Sequence, residues 1–257
     1  AHRDLHSFPT RRSSDLPGVV VTTPERTMED AARIMGERHI GSLFVVKYGS
    51  PIGIVTERDL ISRVLAGRLD PGDTTVEQVM SFPLVRICPD LEIREAARTM
   101  IKRKGRLAVF SCGHLEGIVT ASDLIREMPD APETTLSVDD YMTRDLVSVE
   151  SDTPVSEVVD TMGRKRIGSV IVSREGKPHA IFTERDLLSG LLAKGSSLEI
   201  GVGEVSSSPL ITAPSGISIH EAAQMMASKQ VRRLPIVRKN DLAGNITARD
   251  LVEAYAQ

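Results

Sequence analysis

A phrase of eight residues occurs four times along the chain and restricts the folds that the chain can adopt. The copies are Gly53–Leu60, Gly117–Leu124, Ala180–Leu187 and Gly244–Leu251, and every copy contains Thr-x-x-Asp-Leu. Successive threonines are 64, 63 and 64 residues apart (Thr56, Thr120, Thr183 and Thr247). A period this regular over most of the chain predicts four copies of one structural unit.

The same order of signals surrounds each phrase. A short β-branched run comes first, and a helix with apolar residues at i, i+3, i+4 and i+7 follows, as at Met28, Ala31, Ala32 and Met35. Two apolar runs around a turn predict a hairpin, and a second apolar helix follows the Asp, as at Leu60–Leu65. We therefore predict a β-α-β-β-α unit four times, in an α/β (α+β) fold. The first strands are expected at Val19–Val21, Leu84–Ile87, Leu146–Val149 and Leu210–Thr212.

Similarities between the copies predict how they were duplicated. Units of about 60 residues are marginally stable alone, so they should pack in pairs. Repeats 1 and 3 share Ile-Gly-Ser (40–42 and 167–169) and Thr-Glu-Arg-Asp-Leu, whereas repeats 2 and 4 place basic residues at the matching strand start. Copies 127 residues apart are therefore the more alike, which indicates duplication of a two-repeat module. We expect repeats at 17–70, 74–130, 136–196 and 200–257, in modules 17–130 and 136–257.

Residues 1–16 match none of the repeats. Phe8–Leu16 resembles a translated sequencing adapter, and the stretch lacks the apolar segment of a secretion signal. We expect a non-native leader there and leave it out of the prediction of the fold.

The composition argues against several classes of function. A net charge of −3 gives no whole-chain reason to bind nucleic acid or an anionic membrane. No apolar stretch approaches the roughly 20 residues that span a bilayer. Cys88 and Cys112 form no disulfide framework, so we expect buried, reduced thiols in a cytoplasmic protein. The six histidines do not cluster with Cys or carboxylates, and the chain has no nucleophile elbow. We expect no enzyme, no metal and no catalytic cofactor.

The phrase itself allows two chemical interpretations. An Asp at the start of a helix can cap that helix and complement its dipole. The same carboxylate can accept two hydrogen bonds from the vicinal diol of a ribose, while the Thr hydroxyl and nearby backbone N–H groups suit a phosphate. The Gly before them leaves room for close approach. Capping explains the Asp alone, so the joint presence of Thr and Asp in all four copies favours a nucleotide.

The β-α-β-β-α unit that contains Gly-x-x-Thr-x-x-Asp-Leu resembles the cystathionine-β-synthase (CBS) domain, and two such units resemble a Bateman module. The resemblance covers residues 17–257. It includes the family's lead-in to a repeat, Val76-x-x-Val79-Met80 and Val138-x-x-Tyr141-Met142, although repeat 4 has Ser206 for the Met. It implies adenosine-containing ligands (AMP, ADP, ATP or S-adenosylmethionine) in clefts between paired repeats, and two modules forming a flat disc.

The resemblance also implies roles for particular residues. The four Asp residues would hold ribose hydroxyls: Asp59, Asp123, Asp186 and Asp250. The four Thr residues would reach ribose or phosphate: Thr56, Thr120, Thr183 and Thr247. Arg58, Arg185 and Arg249 would neutralise phosphates, with Ser122 in that place in repeat 2. Ile40, Ile167 and Val231 would flank adenine, with Lys104 at that place in repeat 2. We expect one or two of the four sites to hold a ligand.

Three functions remain open from the sequence. The first is a regulatory module in which the ligand changes the conformation that a partner protein recognises. The second is nucleic-acid binding through Lys102–Arg106 and Arg164–Arg166, which the acidic balance disfavours. The third is an enzyme subunit. The sequence does not distinguish a single-chain disc from a homodimer whose chains exchange modules.

Overall fold

A computed structural model describes residues 19–127, 136–239 and 241–257. The predicted leader and the joint at Pro129–Glu133 lie outside these ranges. Each repeat forms a three-stranded sheet in which the first strand pairs parallel to the second and the second antiparallel to the third. The predicted α/β class and the β-α-β-β-α unit are confirmed.

The strand bounds are as follows. Repeat 1 contains β1 (Val21–Thr22), β2 (Ser42–Lys47) and β3 (Ser50–Thr56). Repeat 2 contains β4 (Val85–Ile87), β5 (Leu107–Ser111) and β6 (His114–Val119). Repeat 3 contains β7 (Ser148–Glu150), β8 (Ser169–Arg174) and β9 (Lys177–Thr183). Repeat 4 contains β10 (Ala213–Pro214), β11 (Arg233–Arg238) and β12 (Asp241–Thr247).

The α-helices are α1 (Met28–Glu37), α2 (Glu57–Asp59), α3 (Val76–Val79), α4 (Ile93–Arg103), α5 (Ala121–Glu127), α6 (Val138–Tyr141), α7 (Val155–Lys165), α8 (Ile219–Lys229) and α9 (Ala248–Ala256). The apolar stripes predicted for α1, α4, α7 and α8 are buried throughout, so the Met-containing faces belong to the cores. The second helix of repeat 1 continues from α2 as a π-helix, Leu60–Leu65, and repeat 3 has the same winding at Asp186–Leu191. In repeats 2 and 4 the corresponding helices are α-helical.

Two sequence expectations are wrong. The predicted strand Leu210–Thr212 is not a strand, because the Leu210 N–H bonds to the His179 carbonyl of repeat 3, and β10 pairs with β11 only from Ala213 onward. Cys88 and Cys112 are exposed rather than buried, and Cys112 lies in a hairpin turn with φ of 48°.

Contacts divide the chain into two compact units, and each unit contains two repeats of the same kind. The odd unit, with repeats 1 and 3, comprises Val20–Leu84 and Val147–Leu210. The even unit, with repeats 2 and 4, comprises Val19, Val85–Leu146 and Ile211–Gln257. The boundaries predicted for modules 17–130 and 136–257, and the disc, remain predictions.

Helix packing holds the odd unit together. Helix α1 packs against the Asp186–Leu191 segment and the following 3-10 turn, and α7 packs against Leu60–Leu65. The approach is closest at two glycines, because a Cβ on Gly36 would lie 2.6 Å from Ala193 Cβ and one on Gly163 would lie 2.2 Å from Ala66 Cβ. The two contacts are equivalent, because Gly36 and Gly163 occupy the same position in repeats 1 and 3, as do Ala66 and Ala193.

The even unit has an equivalent helical core. Helix α4 packs against α9, and α5 packs against both α8 and α9. Small residues again lie at the centre, where Ala96, Ala97 and Ala222 are fully buried. The Arg94 guanidinium lies 5.4 Å from the centre of the Tyr255 ring, which adds a cation–π contact between repeats 2 and 4.

Candidate functional site

Each phrase forms a strand-to-helix turn in which Thr and Asp bond to each other. Asp59 Oδ2 accepts from the Thr56 N–H at 2.9 Å and from the Thr56 hydroxyl at 2.7 Å, and Thr56 Oγ1 accepts from the Asp59 N–H at 3.2 Å. This reciprocal pattern is a capping box, with Thr as the N-cap and Asp three residues later. In all four phrases the Asp Oδ2 accepts from the Thr backbone N–H and hydroxyl.

The capping box gives a structural reason for the joint presence of Thr and Asp. The sequence interpretation assigned the cap to Asp alone, whereas the N-cap is the Thr and the Asp completes the box. The spacing Thr-x-x-Asp is therefore required by the turn itself, with or without a ligand. The nucleotide-binding roles of these eight residues remain predictions. Their support comes from the second carboxylate oxygen, Oδ1, which the capping box does not use.

The second carboxylate oxygen distinguishes the four phrases. Asp59 Oδ1 lies 3.4 Å from Arg63 Nε, and Asp123 Oδ1 lies 3.7 Å from Arg126 Nη1. Asp186 Oδ1 accepts from the Ser207 hydroxyl at 2.9 Å. Asp250 Oδ1 has no hydrogen bond or ion pair with a residue that the structure describes.

Two of the three predicted phosphate-binding arginines form ion pairs across the odd unit. Arg58 Nε donates to Glu184 Oε1 at 3.1 Å, and Arg185 Nε lies 3.9 Å from Glu57 Oε1. The two glutamates are the better buried partners, with side chains 5% (Glu57) and 12% (Glu184) exposed. Each phrase of the odd unit is therefore tied to the phrase of the other repeat, which the sequence interpretation missed.

The position of the Glu57 side chain explains why repeats 1 and 3 share both Ile-Gly-Ser and Thr-Glu-Arg-Asp. The Glu57 carboxylate lies against Gly41, where a Cβ would be 2.8 Å from Glu57 Oε2. The Gly of Ile-Gly-Ser thus makes room for the Glu of Thr-Glu-Arg-Asp. Repeat 2 has Gly105 at the matching place, but Ala121 replaces the Glu, and a Cβ there would meet nothing closer than 3.7 Å.

The residues predicted to flank adenine lie at the edges of the cores. Ile40, Ile167 and Val231 are half-buried, and each packs against the hydrophobic core to which its repeat contributes. Lys104, at that place in repeat 2, is exposed and has φ of 54°, in the left-handed region that ends α4. The structure therefore places three of the four positions beside apolar side chains and one in solvent.

In repeats 1 and 4 the phrase glycine is covered by a lead-in segment rather than left open. A Cβ on Gly53 would lie 2.9 Å from Met80 Sδ, and one on Gly244 would lie 2.6 Å from Met142 Sδ. Repeat 3 has Ala180 in this position, and the segment that pairs with its β9 contains Ser206 where the others have Met. Ala180 and Ser206 therefore form a paired substitution, because the smaller residue in the lead-in segment accommodates the larger residue in the phrase.

Substituting this pair tests the fit directly. We expect Gly53→Ala to destabilise the fold by about 1–3 kcal/mol, because the added methyl meets Met80 Sδ and the Ser81 carbonyl. Adding Met80→Ser to it recreates the combination found at Ala180 and Ser206 and should cost less than the sum of the two single changes. Urea unfolding of the four members of this cycle measures the coupling, and strictly additive costs would contradict it.

A cleft of about 420 Å³ lies in repeat 1, at the hairpin-turn end of the sheet. Its walls include Val21, Ile34 and Val46, and no phrase residue lines it. Arg26 and Arg33 at its edge both pair with Asp30 at 3.0 Å, and their guanidinium groups lower the pKa of that carboxyl. Arg33 Nη1 also lies 3.5 Å from Glu37 Oε1, so both arginines at this edge are paired with carboxylates.

The described residues offer neither a metal cluster nor a membrane span. In those ranges no group of three or more His, Cys, Asp or Glu residues is arranged to hold a metal ion. In the same part of the chain, every helix is too short or too polar to cross a bilayer.

Comparison with known proteins decides the family. A family model for the CBS domain matches residues 14–66, 76–130, 138–193 and 202–257. The chain belongs to the CBS domain family. As a CBS protein it is 33% identical to a CBS domain-containing protein of Bacillus subtilis over 115 residues, which cover 45% of this chain and 82% of that protein.

Solved structures share the four-repeat CBS fold. A Methanocaldococcus jannaschii protein, put forward as an archaeal homologue of g-AMPK, matches with a TM-score of 0.80 at 21% identity and covers 99% of this chain and 100% of its own. An uncharacterised conserved protein of Pyrococcus horikoshii matches with a TM-score of 0.62 at 22% identity, covering 92% and 95%. At these identities the likeness is one of fold.

Proposed function

We propose that this CBS protein is a cytoplasmic regulatory sensor of adenosine-containing ligands (AMP, ADP, ATP or S-adenosylmethionine). The ligand binds at the phrase turns, and the resulting change of conformation is passed to a partner protein. The observation that carries the proposal is the geometry of the Asp in each phrase. One oxygen is held by the Thr N–H and hydroxyl, and the other remains for an exchangeable contact.

This geometry suits a ribose diol. Two hydrogen bonds from Thr hold each carboxylate in one orientation, so little freedom is lost when a ligand binds. In repeats 1 to 3 the remaining oxygen contacts Arg63, Arg126 or Ser207, and the two arginines are half-exposed. Hydrogen bonds from hydroxyls to a carboxylate are charge-assisted and can replace such contacts. In repeat 4 the nine-residue helix α9 also directs its N-terminus to the same turn.

The contacts between repeats 1 and 3 in the odd unit could transmit a change of conformation on ligand binding. Its phrases are joined by the Arg58–Glu184 and Arg185–Glu57 pairs, and its helices meet at Gly36 and Gly163 without spare volume. A ligand that draws either arginine toward a phosphate would loosen one of these ties. It can shift the equilibrium only by its difference in affinity for the two conformations.

The proposal treats the chain as a binding protein rather than an enzyme. Nucleic-acid binding is the second candidate, and the observation that favours it is the run of basic residues from Lys102 to Arg106, where Lys102, Arg103 and Lys104 are exposed. An electrophoretic shift with DNA or RNA at physiological salt would support it.

A thermal-shift panel tests the sensor proposal. We expect at least one of AMP, ADP, ATP and S-adenosylmethionine to raise the unfolding temperature, since a ligand at about 100 times its Kd adds roughly 2.7 kcal/mol. NAD, which also contains adenosine, completes the panel, and inorganic phosphate at matched ionic strength serves as the comparison. A folded sample that responds to none of the five adenosine-containing ligands would refute the proposal.

A further inference from the structure

One polar atom of the even unit is buried without a partner next to the repeat 4 phrase. Asn245 Oδ1 is shielded from solvent, and no donor among the described residues reaches it. The backbone of the same residue is satisfied, because its N–H donates to the Thr143 carbonyl at 2.8 Å and its carbonyl accepts from the Thr143 N–H at 2.9 Å. The buried group without a partner is therefore the side-chain oxygen alone.

The other repeats show that the fold does not require an amide here. The equivalent residues are Ile54, Ile118 and Ile181, which have no polar side-chain atoms to satisfy. A buried carbonyl without a donor destabilises a fold, whereas an apolar residue of similar size does not. We therefore expect Asn245 to lower the free energy of unfolding relative to isoleucine, the residue in the other three repeats, and a ligand that supplies the donor would account for the asparagine.

The amide is placed along the same strand as the phrase. Asn245 and Thr247 are two residues apart in β12, so their side chains share one face, about 7 Å apart along the strand. Ile246 between them is fully buried in the core on the other face. A nucleotide at the Thr247 turn would therefore extend past Asn245.

Repeat 4 also has the phrase whose polar groups are least engaged within the described structure. Asp250 Oδ1 has no partner there, whereas the other three phrase aspartates use the equivalent oxygen. Arg249 forms no ion pair with a described residue, in contrast to Arg58 and Arg185. Ala248 replaces the glutamate that neutralises the arginines of the odd unit. These differences favour repeat 4 as the place for a ligand that carries a phosphate.

We propose that repeat 4 binds a phosphate-bearing adenine nucleotide and that Asn245 selects the base. The inference rests on the proposed function and adds the ligand class, the repeat and a specificity residue. An Asn amide matches adenine, since its oxygen accepts from the exocyclic amine and its nitrogen donates to N7. Guanine presents an acceptor in place of that amine. Asp250 holds the ribose and Arg249 faces the phosphate.

The variant Asn245→Ile tests this, because the other three repeats already contain Ile at that position. Calorimetric titration with AMP and GMP, and unfolding without ligand, are measured for the full chain and the variant. We expect an unchanged or higher unfolding temperature without ligand, together with the loss of one AMP site or a roughly 10-fold weaker Kd at it. The preference for AMP over GMP at that site should fall toward one.

Three further variants keep the outcome decisive. Asp250→Asn should remove the same AMP site, and Asn245→Ala replaces the isoleucine variant if the latter does not fold. Ile54→Asn in repeat 1, where Arg58 is already paired, should add no AMP site. An unchanged AMP stoichiometry and Kd in Asn245→Ile would overturn the inference while leaving the sensor proposal intact. A wild-type chain that binds no adenine nucleotide would instead overturn both.

Discussion

Gly163→Leu should destabilise the chain by about 3 kcal/mol or more, at the upper end of what overpacking costs. A Cβ at this position would lie 2.2 Å from Ala66 Cβ and 3.1 Å from the Ile61 carbonyl oxygen. Neither atom belongs to the flexible end of a side chain, so α7 must move away from the Leu60–Leu65 helix. That movement opens the helical core that joins repeats 1 and 3. For a chain of this size the expected fall in unfolding temperature is roughly 6–12 °C.

A matched substitution separates the packing effect from the loss of a glycine. Gly190 lies in the same unit, within the Asp186–Leu191 π-helix, and an added Cβ would meet nothing within 4 Å. We expect Gly190→Leu to change stability by less than about 1 kcal/mol, as is usual for substitutions without a clash. Thermal or urea unfolding measures both variants. Equal effects of the two leucines would contradict the proposed close approach of the helices.

Asp59→Ala should cost about 1–3 kcal/mol even in the absence of any ligand. The substitution leaves the backbone N–H of Thr56 without its acceptor at 2.9 Å, in a turn where Thr56 and Asp59 are both buried. It also removes half of a capping box. Loss of ligand binding in this variant would therefore be hard to separate from loss of structure.

Asp59→Asn is the informative counterpart. An Asn oxygen can still accept from the Thr56 N–H and hydroxyl, so we expect a cost below about 1 kcal/mol. The second oxygen becomes an amide nitrogen, which donates and cannot accept from a ribose hydroxyl. Urea unfolding of the two variants checks the stability difference, and an equal cost for Ala and Asn would show that the capping box contributes little.

Patterns within one repeat predicted much of the fold. Helical stripes, hairpins and the order of elements depend on neighbours within about ten residues, and the buried faces of α1, α4, α7 and α8 agree with them. The first hairpin agrees with its prediction as well, and its turn residues Tyr48 and Gly49 have positive φ (51° and 78°), as a two-residue type I′ loop requires. The misplaced repeat 4 strand arose from a contact between Leu210 and repeat 3, which lies outside any local pattern.

The candidate site was less predictable, because its deciding contacts join distant residues. Glu57 and Arg185 are 128 positions apart, and neither residue alone signals that they pair. The sequence did contain usable signals, namely the joint occurrence of Ile-Gly-Ser with Thr-Glu-Arg-Asp, and Asn245 in an otherwise aliphatic position. The capping box was present in the spacing as well, but the spacing of Thr and Asp is the same for a structural turn and for a nucleotide site.

Titration calorimetry of AMP into the full chain and into the fourfold Asp→Asn variant tests nucleotide binding at the phrases most directly. The variant carries the change at Asp59, Asp123, Asp186 and Asp250, and circular dichroism confirms that it is folded. We predict a saturable heat of binding at one or two sites in the wild type and a Kd at least roughly 10-fold weaker in the variant, as expected when a charge-assisted hydrogen bond is lost. Equal affinity in the two proteins would place the nucleotide elsewhere, and no binding of AMP, ADP, ATP or S-adenosylmethionine to the wild type would contradict the sensor account.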